Sequence, residues 1–166
     1  MHKVIAQERK DEAEFERTAE VQWQKQQKQD RIDRENRSRK KKFHLKKGDF
    51  FITNNVSSKG FTGHAAIYTG KGSPKHRYIK VYRAPKKYRG KAGSYAKSHF
   101  NGVPYSITTN PYSKSVTYCS KLVWQSYYYG AGRLSVLPVV TSQFIIEPYS
   151  LNKYIPSKAV RSYKRS

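Results

Sequence analysis

The stretch Thr117–Gly130, TYCSKLVWQSYYYG, holds the only cysteine of the chain at the point where an apolar helical pattern begins. Leu122, Val123 and Tyr127 recur at helical spacing, which predicts a helix from about Tyr118 that stops at the Gly-Ala-Gly of residues 130–132. A cysteine used for packing can sit anywhere along a buried face. One used for chemistry gains from standing first, because the unpaired amides and the dipole of a helix start favour the thiolate. Cys119 therefore reads as a nucleophile with a lowered pKa, and the packing residues follow it.

Composition narrows the chemistry around it. The chain has 166 residues, room for one domain and an appendage. Residues 1–42 carry 13 Lys/Arg against 9 Asp/Glu, whereas residues 43–166 carry 21 Lys/Arg and only two acids, Asp49 and Glu147. Two carboxylates leave little scope for metal or paired-carboxylate chemistry, and the surplus charge attracts polyanions. One cysteine excludes an internal disulfide and a multi-cysteine zinc site, so neither a metal nor a cofactor is expected. No stretch approaches the roughly 20 apolar residues of a membrane span, and the N-terminus lacks the apolar core of a signal peptide. A secreted or wall-associated place is expected if a leader has been removed; a cytoplasmic one stays open.

The first 42 residues contain no Gly or Pro and are rich in Glu, Gln, Lys and Arg, so they read as a charged, helical extension ending in the basic run RSRKKK. Ile5, Phe15, Ala19 and Trp23 form only a thin apolar stripe, so an exposed helix is expected. The domain, residues 43–166, opens with short β-type segments, GDFFIT and GHAAIYTG. TGKGSPKHR reads as a hairpin turn and YIKVYRA as its returning strand. The GKG within it lacks the glycine spacing of a phosphate loop. Residues 84–101 read as a basic loop or short helix, residues 139–151 as a mixed strand or turn segment, and the end as a basic tail. Strands and helices in separate blocks make an α+β domain, with an antiparallel sheet packed on the Cys119 helix.

A thiol nucleophile needs a base within reach and usually a third group to orient the base. The histidines are His2, His44, His64, His76 and His99. Only His64 lies inside a predicted strand, between a glycine and the small pair Ala65-Ala66, which leaves room for a helix end to approach. His64 is the candidate base.

The blocks KKGDFFIT, GHAAIYTG, GVPYSI, YCSKLVWQSYYYGAG and VVTSQFIIEPYSL follow one another in an order that resembles circularly permuted NlpC-type papain-like cysteine peptidases. The resemblance spans roughly residues 45–151. It implies Cys119 as nucleophile, His64 as general base and the Cys119 backbone N–H as an oxyanion donor. Tyr118 and Tyr105 are the candidate substrate contacts. Two departures stand out. Family members often carry a Glu on the strand after the histidine strand. Here KVYRA places Arg83, or Tyr82 one residue off in register, at that acid position. The later Thr-Pro-Gly-Asp segment of the family reads TSQF. Asp49 reads first as a structural turn residue; it and Glu147, the two acids of the domain, are candidate orienters, with Tyr82, a backbone carbonyl or an amide as neutral substitutes.

The leading expectation is a thiol amidase or endopeptidase acting on peptidoglycan peptides. Acyl transfer or ester hydrolysis on lipids within the same fold is an alternative. So is a non-catalytic basic module that binds wall polyanions or nucleic acid, because tyrosines interleaved with cations suit either surface.

Overall fold

The computed structural model describes residues 2–36, 43–54, 63–72, 77–139 and 144–164. The basic run RSRKKK, from Arg37 on, and His76 lie outside them. In chain order the elements are α1 (His2–Glu35), β1 (Phe50–Thr53), β2 (His64–Ile67), β3 (Tyr78–Arg83) and α2 (Lys86–His99). Then come α3 (Cys119–Gln125), continued without a break by the π-helix Ser126–Ala131, the single turn α4 (Leu151–Tyr154) and β4 (Lys158–Lys164). The protein is an α+β domain, as its block structure predicts.

The four strands form one antiparallel sheet in the order β2-β1-β3-β4. The order corrects the expected hairpin, because β2 and β3 flank β1 on opposite sides instead of pairing with each other. The start of β1 explains why it takes the centre. Gly48 has φ +92° and lies so close to α2 that a Cβ there would stand 1.9 Å from the Arg89 carbonyl. Asp49, fully buried, accepts the Lys46 amide at 2.8 Å and pairs with both ends of the Arg83 guanidinium at 2.9 and 2.8 Å.

Strand alternation gives the sheet two faces. Phe50, Ile52, Ala65, Tyr78 and Tyr82 face the helices and join Val123, Trp124 and Tyr127 in the main core. Phe51, Ile79 and Val81 face the other way, under Phe43, Leu45, Val160 and Tyr163. The C-terminal segment read as a basic tail is largely β4. Its Lys and Arg side chains mask a strand whose buried residue, Ser162, is bonded by Gln22 and Gln26 of α1.

Helix α1 is not the exposed extension expected from its thin stripe. Phe15 and Ala19 are buried in the main core, and the Phe15 ring lies 5.3 Å from that of Tyr149. Polar bonds fix the rest of that face: Asn54 to Glu16 at 2.6 Å, Lys80 to Thr18 at 2.6 Å and Tyr78 to Glu20 at 2.6 Å. Hydrogen bonds from Tyr78 and Lys164 hold the Glu20 carboxyl down to about 2. Amphipathic pattern alone underrates such a helix, because it docks largely through side-chain polar bonds.

Candidate active site

Cys119 is the first residue of α3, and Tyr118 before it is extended at φ −148°, ψ 171°, so the chain turns into the helix at the thiol. The helix behind it is built as the sequence implies. Trp124 is fully buried, stacked on Tyr128 at 4.8 Å with Tyr112 edge-on at 5.3 Å. The Gln125 amide bonds the carbonyls of Pro111 and Ser113 at 2.8 and 2.9 Å, anchoring the loop that leads back to the site.

The start of α3 meets the free edge of β2. Tyr68 exchanges backbone bonds with Gly48 and Asp49 at 2.8 and 2.7 Å. By alternation Ala66 and His64 turn their amides toward β1, and Ala65 turns its amide outward. That outward amide bonds the Cys119 sulfur. The Ser120 amide, the Ser120 hydroxyl and the Tyr105 hydroxyl bond it too. The helix end thereby covers an edge strand that would otherwise present unpaired backbone.

Tyr105 is placed by backbone pairing with Thr117, two residues before the nucleophile: Ser106 N–H to Thr117 O at 2.9 Å and Thr117 N–H to Pro104 O at 3.0 Å. Its side chain is 54% exposed, so its phenol touches both the thiol and the outside. Burial and the adjacent sulfur push that phenol up, so it stays protonated and donates. Tyr118, by contrast, is fully buried, and its phenol accepts the Ile146 amide at 2.9 Å. Burial pushes it up to about 12. Of the two tyrosines expected to contact substrate, Tyr105 lies exposed beside the thiol and Tyr118 is buried behind it.

The thiol itself departs from expectation. Cys119 is only 6% exposed, and burial pushes its pKa up despite the hydrogen bonds that oppose it. Desolvation outweighs the helix start, so the resting group is a thiol and must give up its proton during the reaction.

His64 opens β2 opposite Thr53, one residue from the amide that holds the sulfur. Alternation gives His64 the face of Ala66, away from that of Ala65. Two of the expected orienters, Asp49 and Tyr82, are engaged elsewhere. Asp49 is committed to Arg83 and lies four residues along β1 from Thr53, about 13 Å at strand rise. Arg83, at the family's acid position, is taken up by Asp49 and the His44 carbonyl. Tyr82 pairs with Phe50 at the far end of β1 and stacks on its ring at 5.4 Å, its phenol pushed up to about 12 by burial.

Two features near the thiol escape a reading of the sequence. Ser120 hydrogen-bonds the thiol and donates to the Ile146 carbonyl, while Tyr118 receives the Ile146 amide, so both neighbours of Cys119 grip the residue before Glu147. The adjacency of Ser120 to Cys119 was the available signal. Lys121, two residues past the thiol, is fully buried, and its ammonium has no hydrogen-bond partner among the described residues. Its nitrogen stands 6.0 Å from the centre of the Tyr118 ring, and burial pushes its pKa down. Among the described residues no three His, Cys, Asp or Glu side chains are placed to hold a metal.

A thiol at a helix start, held by amides and a phenol at the edge of an antiparallel sheet, defines a candidate nucleophilic site on an α+β frame. Residues 68–164 match the family of lipoprotein N-acylation proteins, LnsA-like, and the chain belongs to that family. The matched segment contains Tyr105, Cys119 and Glu147 and begins four residues after His64. The chain is also similar to an uncharacterized 30.3 kDa protein of Bacillus thuringiensis, 34% identical over 146 residues. That alignment covers 66% of this chain and 53% of the relative, so the chain spans about half the length of the curated protein it matches. No solved structure matches it.

Proposed function

We propose that the protein is a thiol acyltransferase that carries a fatty acyl group on Cys119 and delivers it to an amine. The observation that carries this reading is membership, through the segment bearing Cys119, of a family described by lipoprotein N-acylation. Amide hydrolysis in peptidoglycan uses the same nucleophile, and the family favours transfer over it. The order of the blocks, histidine strand before cysteine helix, agrees with a permuted papain-like frame.

In the first half-reaction the Cys119 sulfur attacks the carbonyl of an acyl ester. The S–C bond forms, the ester C–O bond breaks, and the thiol proton passes to the departing alkoxide. In the second half-reaction the acceptor amine attacks the thioester. The N–C bond forms, the S–C bond breaks, and the amine proton returns to the sulfur. The Cys119 backbone N–H, which in the resting site donates to the Tyr105 phenol oxygen, and the Tyr105 phenol are the donors for the oxyanion in both steps once the substrate oxygen takes their place. His64, beside the Ala65 amide that holds the sulfur, is the proton carrier; catalytic hydrogen bonds commonly tighten only with substrate bound. The burial of the thiol suits transfer, because a water-poor wall protects a thioester until an amine arrives.

The test is intact-mass analysis after incubation with phospholipid vesicles and an acceptor peptide bearing a free N-terminal amine. The expected result is a hydroxylamine-labile acyl adduct on Cys119 and an N-acylated peptide, both absent in Cys119→Ala. His64→Ala slows formation of the adduct, and Tyr105→Phe slows both steps. Release of new amines from peptidoglycan, with no acyl adduct on the protein, overturns transfer in favour of hydrolysis.

A further inference from the structure

The surface remote from Cys119 combines two features that neither the core nor the reaction uses. Helix α2 contains no acid, and its exposed positions include Lys86, Lys87, Lys91 and Lys97. At 100° per residue these four lysines fall within about 140° of one another, a single basic stripe. The stripe borders an open groove of ≈ 770 Å³ whose other wall includes Tyr95 and Tyr129, with ring centroids 6.3 Å apart. Lys114 adds a fifth cation 4.1 Å above the Tyr129 ring.

A few residues along the chain from the π-helix that packs on α2 stand exposed leucines. The π-helix is pressed onto α2 at Gly130, where a Cβ would come within 2.5 Å of Tyr95 and 3.0 Å of the Lys91 carbonyl. Four residues later Leu134 is 82% exposed, and Leu137 is 50% exposed. Arg133 and Pro138 beside them are exposed as well. The loop is held in place: Ser135 bonds the Tyr127 and Gly132 carbonyls at 2.9 and 2.6 Å, and the Leu137 amide bonds the Tyr154 carbonyl at 2.8 Å. The leucines face outward on a pinned backbone.

We infer that the α2 lysine stripe and the Leu134–Leu137 loop together dock the protein on an anionic phospholipid bilayer. Cationic side chains at headgroup level, aromatic rings beside them and apolar tips that enter the acyl boundary form an interfacial binding surface. A bilayer engages both halves of the patch, whereas a nucleic acid leaves the leucines without a partner. With only two acids among residues 43–166, almost nothing on the domain opposes approach to an anionic surface. The surface lies at the far end of the helix formed by the 7 residues of α3 and the 6 of the π-helix, about 20 Å from Cys119. Docking is thus separable from the chemistry, and it stands whether or not the acyl-transfer reading does.

The test is co-sedimentation of the full chain with phosphatidylglycerol–phosphatidylcholine vesicles, with duplex DNA as competitor. Cys119→Ala binds like the parent. Replacing Lys86, Lys87 and Lys91 by Gln weakens binding about 100-fold, at roughly fivefold per basic residue near an anionic surface. Leu134→Ser with Leu137→Ser weakens it about tenfold or more and leaves the melting temperature unchanged, because both side chains are already exposed. Leu134→Trp is quenched by brominated acyl chains. Unchanged binding of the leucine double variant, or displacement from vesicles by DNA at equal phosphate, overturns the inference.

Discussion

Alkylation of Cys119 tests the electrostatics of the site more directly than any substrate assay. Two effects compete at this sulfur: burial disfavours the thiolate, and hydrogen bonds from the Ala65 and Ser120 amides and the Tyr105 phenol favour it. Burial wins, so alkylation by iodoacetamide rises with pH only above the ordinary thiol range, with little labelling at pH 7. The perturbation is Tyr105→Phe, which removes one donor and keeps the ring. A hydrogen bond to a charged acceptor contributes about 1.5–3 kcal/mol, and this phenol is half exposed, so the lower end applies. Loss of about 1.4 kcal/mol lowers the thiolate fraction tenfold at any pH below the midpoint. The assay is the second-order labelling rate by mass spectrometry from pH 6 to 10, in the parent, Tyr105→Phe and His64→Ala. Tyr105→Phe should label about tenfold more slowly below the midpoint and converge on the parent at high pH. His64→Ala should leave the midpoint above the ordinary thiol range, because burial is the largest cause of its elevation. Rapid labelling at pH 6 that collapses in His64→Ala would refute this reasoning and establish a preformed ion pair.

Three further perturbations read the frame around the site. Asp49→Ala leaves the Arg83 guanidinium without its carboxylate and the Lys46 amide without its acceptor, so chemical denaturation should show a loss of about 3 kcal/mol, with labelling of Cys119 in the folded protein unchanged. Lys121→Met removes a buried, desolvated cation and should stabilise by about 1 kcal/mol. Because the folded-state pKa of Lys121 is lowered, the unfolded chain binds more protons just below the ordinary lysine value, so parent stability rises with pH there; the Met variant should lack that rise. Phe15→Ala should cost about 3 kcal/mol and shift a single unfolding transition, since its ring is packed in the core beside Tyr149; a separate early transition confined to α1 would mean that this helix folds apart from the domain.

What was legible in the sequence divides along physical lines. Local signals were enough for the α3 start, because Tyr-Cys-Ser followed by Leu122, Val123 and Tyr127 encodes a turn into a helix with one buried face. They were enough for β1, where Gly48 and Asp49 combine a left-handed backbone with a buried carboxylate that caps the turn. They were not enough for β4, whose Lys158, Arg161 and Lys164 look like a solvated tail until Ser162 meets Gln22 and Gln26 across 136 to 140 residues of chain. The docking of α1 was hidden for the same reason. It rests on pairs such as Tyr78–Glu20 and Asn54–Glu16, which no periodicity within one helix reveals.

The error in the thiol's charge state is the more instructive one. A helix start and a nearby imidazole both argue for a thiolate, and they are visible from residue order. The opposing term is desolvation, which depends on what covers the sulfur: the β2 edge, the Tyr105 loop and the grip of Tyr118 and Ser120 on Ile146. That cover is a property of the assembled fold, and it changes the chemistry expected. A permanently charged thiolate suits rapid attack on any carbonyl and equally rapid loss of the acyl group to water. A buried thiol under a phenol reacts more slowly and holds what it has taken. Under the proposed transfer of an acyl group to an amine, retention matters more than speed of attack, and the burial that departs from the first expectation is the feature that proposal uses.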